Sequence, residues 1–267
     1  MDYGIEHRVA LVTGGTRGIG KAVAAKLLAE GCNVVICSRN AEDLAEVTAE
    51  FDKSYPGKIF GVKSDLSVEA ERKNLITVSQ EKFGTIDILV NNAAVVGRTV
   101  PADQLEIDEW RELFELNFFS AVELSCAVIA GMKAKKWGRI INISSENGEQ
   151  PDPNMPHYNA TKAAMNNFTK TLAQGYAADN ILVNTVAPAF IKTPMAEEVL
   201  TGYSKEHGVS FDEGVKMFLK ANRPGLVMSR FGTAEEVADA VTFLASERST
   251  FTTGSVLRVD GGSVMSV

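Results

Sequence analysis

The chain is poor in residues that hold metals or covalent staples. Its 267 residues include only three cysteines and three histidines. Cys32, Cys37 and Cys126 have no Cys-x-x-Cys spacing and lie in or beside apolar segments, which fits reduced core thiols better than a disulfide framework or zinc site. His7, His157 and His207 are too scattered to assemble a metal site, so none is expected. Positive charge is also in deficit, with 27 Lys and Arg against 34 Asp and Glu for a formal charge of −7. No basic cluster is longer than 133–136, which reads as a solvated helix end, so a nucleic-acid partner is not expected. Apolar runs fall short of the roughly 18 residues of a membrane span, and residues 1–8 are too polar for a signal peptide. A cytoplasmic protein without a membrane partner is the expectation.

What is present is enough for one large core, since 45% of the residues are hydrophobic and 23% charged. One domain over 1–267 is expected. Arg8 to Thr13 is a short apolar run of the buried-strand kind, and it breaks into Gly14-Gly15-Thr16-Arg17-Gly18-Ile19-Gly20 before a helical pattern from Lys21 to Glu30. Strand, glycine turn and helix are the parts that lay a pyrophosphate on a helix N-terminus, where free N–H groups and the helix dipole favour an anion.

A second strand, Asn33 to Cys37, ends in Ser38-Arg39, where a dinucleotide fold reads the adenosine ribose. An acid there holds a free 2′-hydroxyl, whereas an arginine accommodates a 2′-phosphate. Arg39, with Arg17 in the glycine turn, therefore points to NADP(H) rather than NAD(H); the plainer alternative for each is a surface arginine.

The strand and helix pattern then repeats, with helices over 41–53 and 68–83 and strands over 58–63 and 86–90, and this alternation makes a parallel sheet. Asp65 follows the third strand and Asn91-Asn92-Ala93-Ala94 the fourth, at the carboxyl edge where such sheets bind ligands. Asp65 reads equally well as a helix cap. Asn117 sits between Leu116 and Phe118 in a long amphipathic stretch over 107–136, and is either a structural clamp or a catalytic amide. Ser145 ends the run from Arg139, and Tyr158 and Lys162 are four residues apart, on one face of a helix. An ammonium beside a phenol favours the phenolate, so this pair can move a proton. Glu146, Glu149 and Asp152 follow the serine; one facing a pocket would favour a cationic or hydroxyl-rich substrate, although such acids are usually solvated. Residues 190–230 form the longest segment between strands and read as one or two short helices making a substrate-binding lid. A helix over 233–246 and a strand over 255–259 close the chain.

Thr13-Gly14-x-x-x-Gly18-Ile19-Gly20, Asn91-Asn92-Ala93-Ala94 and Tyr158-x-x-x-Lys162, in this order and spacing, resemble the short-chain dehydrogenase/reductase family over essentially the whole chain. The likeness within it is to bacterial 3-oxoacyl-[acyl-carrier-protein] reductase-like and tropinone reductase-like ketoreductases. The resemblance implies a Rossmann α/β fold with a doubly wound seven-stranded parallel sheet. It implies a homotetramer or homodimer built partly on the Tyr158 helix, and catalytic roles for Asn117, Ser145, Tyr158 and Lys162. Tyr158 would be the acid, Ser145 would orient the substrate oxygen, Lys162 would lower the Tyr158 pKa and hold the nicotinamide ribose, and Asn117 would position a water. Cofactor contacts fall on Gly14, Thr16, Arg17, Gly18, Ile19, Gly20, Ser38, Arg39, Asp65, Leu66, Asn92, Ala93 and Ala94, with Tyr158, Lys162, Pro188, Ile191 and Thr193 toward the nicotinamide. Ala94 and Ala189 stand where the family usually has Gly, and Ala189 restricts the backbone after Pro188. The expected activity is NADPH-dependent reduction of a ketone to a secondary alcohol. Running the same residues toward alcohol oxidation, or binding NADP(H) without turnover as a sensor, are the alternatives.

Overall fold

The computed structural model describes residues 2–223 and 225–266, with the backbone alone at 194 and 195. In chain order the first half contains β1 (Val9–Thr13), α1 (Gly18–Ala29), β2 (Asn33–Ser38), α2 (Ala41–Ser54), β3 (Ile59–Lys63), α3 (Glu69–Phe83) and β4 (Ile88–Asn91). The second half contains α4 (Ile107–Phe114), α5 (Ser120–Lys135), β5 (Gly138–Ile143), α6 (Pro156–Tyr176), β6 (Ile181–Pro188), β7 (Ile191–Lys192), α7 (Pro194–His207), α8 (Phe211–Asn222), β8 (Gly232–Thr233), α9 (Ala234–Ala245) and β9 (Val256–Val259). Seven strands form one parallel sheet in the order β3-β2-β1-β4-β5-β6-β9. The order reverses at β1 and β4, so the carboxyl ends of these strands open a crevice.

The central strands are apolar nearly throughout because helices cover both faces. Ala10, Val12, Val34, Ile36, Ile88 and Val90 pack with Val23 and Leu27 of α1 and Val237 and Val241 of α9. Their alternates Val9, Leu11, Val35 and Leu89 pack on the other face with Leu75 of α3 and Leu124 and Val128 of α5. Polar side chains cross this core in one chain of bonds. Asn91 Nδ2 donates to Asn142 Oδ1 at 2.8 Å, Asn142 Nδ2 to Thr169 Oγ1 at 2.8 Å, and Thr185 Oγ1 to the same Thr169 oxygen at 2.8 Å. Asn91 lies opposite Asn142 on the neighbouring strand, and Asn142 opposite Thr185.

The amphipathic stretch over 107–136 is helical, but not as one regular rod: a π turn, Glu115–Phe119, joins α4 to α5 and carries Asn117. Ile107–Lys135 is long and apolar enough to cross a membrane, with a mean hydropathy of 1.6 in its most apolar window. Its Leu124, Val128 and Met132 are instead buried in the core, and Glu115 and Glu123 both bind the buried Arg72 guanidinium, at 2.8 and 2.7 Å.

Segment 190–230 holds two helices, α7 and α8, on a base where β7 pairs with β8. The two-residue strands leave no periodic trace in the sequence. Ser210 and Glu213 form a capping box that starts α8, and Phe190 stacks between Phe218 and Phe231 at 5.2 and 5.0 Å. One expectation fails outright: Cys32 and Cys37 are buried, whereas Cys126 is exposed on α5 and is no core thiol.

Candidate active site

The turn after β1 fits an anion by shape and by charge. Gly14 has φ +65°, and a Cβ on Gly20 would collide with Gly14 O and come within 2.6 Å of Asn92 Nδ2, so only glycine lets α1 start this close to the strand. No side chain caps α1 and no acid stands in its first turn, which leaves its N–H groups and dipole for a ligand. Asn92 ties the turn to β4: its Nδ2 donates to Thr13 O at 2.8 Å, while Thr13 Oγ1 accepts from the Asn92 and Ala93 N–H groups at 2.9 and 3.0 Å. Thr16 Oγ1 donates to Ser38 Oγ at 3.3 Å and so holds the turn against the tip of β2.

One cleft runs along this edge, lined by Gly14, Thr16, Arg17, Gly18, Ile19, Ser38, Arg39, Leu66, Asn92, Ala93, Ala94 and Thr193. Twelve of the sequence candidates thus share a single surface. Arg17 and Arg39 are exposed on it, and neither enters an ion pair among the described residues. Two guanidinium groups outside any ion pair among the described residues, at the end of β2 and in the turn, fit a phosphorylated ribose, and the free helix start fits a pyrophosphate. Cys37, Ser64, Val95 and Leu116 also line the cleft and were not singled out from the sequence. The first two lie at or just past the carboxyl ends of β2 and β3, which is the signal that would have found them; Leu116 arrives through the π turn.

Other candidates lie off this surface. Gly20 is buried beneath the turn. Asp65 spends its carboxylate on Ser67, accepting from its N–H and hydroxyl at 2.9 and 2.7 Å, and these bonds hold its pKa below the usual carboxylate value. It shapes the chain before α3 rather than lining the cleft. Pro188 ends β6 and Ile191 is buried in the core, whereas Thr193, which does line the cleft, also caps α7 by accepting from Ala196 N–H at 3.3 Å.

Ser145, Tyr158 and Lys162 come together where β5 gives way to α6. Ser145 caps a short turn, Glu146–Gly148, accepting from Asn147 N–H at 3.2 Å. That turn packs on α6 through Asn147 Nδ2, which donates to Asn159 Oδ1 at 2.8 Å. Lys162 is buried, and its ammonium donates to Ile143 O at 2.8 Å while lying 5.4 Å from the Tyr158 ring centre. Burial lowers the Lys162 pKa from 10.5 to about 8. It raises that of Tyr158; a hydrogen bond with Ser145 opposes the rise and the charge of Glu146 adds to it. Desolvation is the largest influence on the phenol, and the Lys162 ammonium is turned toward the Ile143 carbonyl.

Asn117 is resolved as a clamp. Its side-chain amide exchanges two bonds with the Val95 backbone, at 2.8 and 2.9 Å. The acids after Ser145 are likewise engaged: Glu146 and Asp152 bind Arg223, and Glu149 binds Arg258. None is a free carboxylate awaiting a cationic substrate.

Residues 8–204 match the family profile described as short chain dehydrogenase. The chain is 36% identical over 267 residues to an uncharacterized oxidoreductase, YvrD, of Bacillus subtilis, covering 100% of each. It is 35% identical to the 3-oxoacyl-[acyl-carrier-protein] reductase FabG of Aquifex aeolicus, over 98% of this chain and 99% of that one. Among solved structures, L-sorbose reductase from Gluconobacter frateurii, complexed with NADPH and L-sorbose, superposes with a TM-score of 0.94 at 32% identity over 100% of both chains. Matched along its length in sequence, strand order and the placement of its glycine turn and Tyr158-x-x-x-Lys162 pair, the chain belongs to the short-chain dehydrogenase/reductase family.

Proposed function

We propose that this protein reduces a ketone to a secondary alcohol with NADPH, in a reversible reaction. The observation that carries the reading is the pair of arginines, Arg17 and Arg39, that form no ion pair among the described residues and stand on a cleft that leads from the glycine turn. Bound along it, the nicotinamide would supply a hydride to the carbonyl carbon. Tyr158 gives its proton to the carbonyl oxygen, general acid catalysis worth about 10²–10⁴-fold. Its raised pKa keeps that proton in place at neutral pH. Ser145 orients the oxygen and stabilises its developing charge. Lys162, bonded to Ile143 O, holds a positive charge behind the phenol, and Asn117 fixes the π turn against Val95, which lines the cleft.

Helices α7 and α8 act as the lid over the substrate, whose apolar face is built on Phe190 and Phe218. A homotetramer or homodimer fits the aromatic group of Phe114, Phe118, Phe119 and Phe168, since Phe119 is 47% exposed. The solved neighbour's ligand, L-sorbose, puts keto sugars beside 3-oxoacyl esters, cyclic ketones and α-diketones in the panel to try. Spectrophotometric consumption of NADPH against that panel, run beside NADH, tests the reading. Turnover selective for NADPH supports it, faster turnover with NADH overturns the arginine argument, and NADPH binding without turnover of any ketone moves the assignment to a sensor.

A further inference from the structure

Helix α6 begins without the side chain that usually starts a helix. Its N-cap is Met155, which has no oxygen to offer the first turn, and Pro156 follows as the first helical residue. The helical bonding pattern opens only with Asn159, whose N–H donates to Met155 O at 2.9 Å, so the Tyr158 N–H lies ahead of it. This is the donor that a serine or aspartate cap would have taken. It donates instead to His157 Nδ1, at 2.9 Å. An imidazole from inside the helix thus stands in for the missing cap, on the turn that carries Tyr158.

The ring is held from its other sides as well. His157 is 1% exposed, and Trp110 of α4 meets it edge-on with ring centres 5.9 Å apart. Gly97, in the loop after β4, passes so close that a Cβ there would stand 2.6 Å from Nε2. That loop also carries Val95, which lines the cofactor cleft and is tied to Asn117. The charged groups on the groove beside the imidazole are Glu109, Arg111, Glu112 and Glu115 from α4 and the π turn, with Arg98 and Arg39; the first turn of α6 adds none. Arg98 is paired with Glu109 at 3.1 Å. Burial lowers the His157 pKa and the charge of Glu109 opposes the change, so the ring is neutral at pH 7, with its proton on Nε2 and Nδ1 left to accept.

We infer that His157 is a positioning residue for Tyr158: its ring caps the first turn of α6 and wedges that turn against the loop beside the cofactor cleft, which fixes the direction in which the phenol leaves the helix. The bond holds the peptide plane from which the Tyr158 side chain departs, and a small rotation there is magnified at the hydroxyl. Protonation removes the acceptor, because an imidazolium carries N–H groups at both nitrogens. The Tyr158 amide then loses its partner and the turn loosens. The catalytic consequence rests on Tyr158 being the proton donor, but the capping bond does not.

The test uses two replacements that divide the ring's roles. His157→Asn sets an acceptor oxygen close to where Nδ1 stands and gives up the ring, whereas His157→Phe keeps the ring and gives up the acceptor. Hydrogen exchange of the Tyr158 amide is followed by NMR in the full-length protein, with the signal assigned by its loss in Tyr158→Phe. Exchange should be about five- to tenfold faster in His157→Phe and near wild type in His157→Asn. NADPH turnover should fall about tenfold in His157→Phe, with KM for NADPH unchanged, and be retained in His157→Asn. A ring that merely fills space would reverse this order, and that reversal, or equal exchange in all three proteins, overturns the inference. Quickened exchange with undiminished turnover in His157→Phe overturns the positioning role. Should His157→Phe not fold, the wild-type protein decides: Tyr158 exchange, corrected for its intrinsic pH dependence, must quicken with the same midpoint as the His157 ring signal while amides deeper in α6 keep their protection, and exchange indifferent to that midpoint overturns the inference. Turnover by Tyr158→Phe at the wild-type rate would remove Tyr158 as the acid and leave the exchange data to judge the capping bond.

Discussion

Asn117 and Val95 are joined by both ends of one amide, with Nδ2 donating to the Val95 carbonyl at 2.8 Å and Oδ1 accepting from its N–H at 2.9 Å. The amide therefore stands in for a backbone strand partner, on a chain segment that has left the sheet and entered the cleft. Asn117→Ala should cost about 1 kcal/mol in denaturant unfolding, because it strands two partly buried backbone groups. Asn117→Asp, which sets a buried carboxylate against the Val95 carbonyl, should cost at least as much. Wild-type stability in Asn117→Ala would show that the clamp contributes nothing.

Lys162 makes stability depend on alkaline pH. Its pKa is about 8 in the folded protein against an ordinary 10.5. Between those values the unfolded chain holds a proton that the native state lacks, so this group makes stability rise with pH across the window. Below about pH 8 the buried ammonium carries its full cost. Relative to Lys162→Met, wild-type stability should climb from pH 8 toward pH 10 by up to about 1.4 kcal/mol per pH unit. Parallel unfolding curves of the two proteins at pH 7, 8.5 and 10 check the sign, and a flat difference would place Lys162 in a wetter setting.

Arg17 and Arg39 should make separable contributions to cofactor choice. Arg39→Ala should weaken NADPH binding about tenfold or more, as expected for loss of a charge-assisted bond, and leave NADH nearly unchanged. Arg17→Ala should do the same more weakly. Calorimetric titration with both nucleotides is the check; equal losses for NADPH and NADH would place the arginines on the shared pyrophosphate instead.

Two glycines offer a matched contrast. Gly20→Ala forces a methyl against Gly14 O and Asn92, and should abolish nucleotide binding and destabilise the fold by about 1–3 kcal/mol. Gly175, inside α6, has open space at its Cβ position, so Gly175→Ala should stabilise by up to about 1 kcal/mol. Thermal melts of both variants decide.

The sheet was legible in the sequence because strands buried on two faces are written as short apolar runs, and the glycine turn because its φ and its contacts admit little else. The π turn was not, since Glu115-Leu116-Asn117-Phe118-Phe119 has ordinary helical composition and its extra residue shows only in the bonding. Nor were the partners of the acids after Ser145. Arg223 lies 77 residues from Glu146 and Arg258 lies 109 from Glu149, distances over which no local pattern reaches. Local reasoning saw three carboxylates, any of which would favour a cationic or hydroxyl-rich substrate if it faced a pocket, whereas the folded chain supplies cations to them itself. Asp65 was ambiguous between ligand and cap; in the structure Val68 is the N-cap of α3, and the Asp65 carboxylate closes a local turn with Ser67 ahead of it.

The polar chain from Asn91 through Asn142 and Thr169 to Thr185 has a consequence for how the sheet assembles. Strands as uniformly apolar as β4, β5 and β6 can slide past one another by a residue and still bury the same oil, so hydrophobicity alone proofreads their pairing poorly. Such a slip would set the amide of Asn91 opposite Ile141 or Ile143 instead of Asn142, in a place water cannot reach. The three central strands therefore carry an internal checksum, satisfied by one alignment and violated by its neighbours. That alignment fixes the height at which Ser145 emerges beside Tyr158.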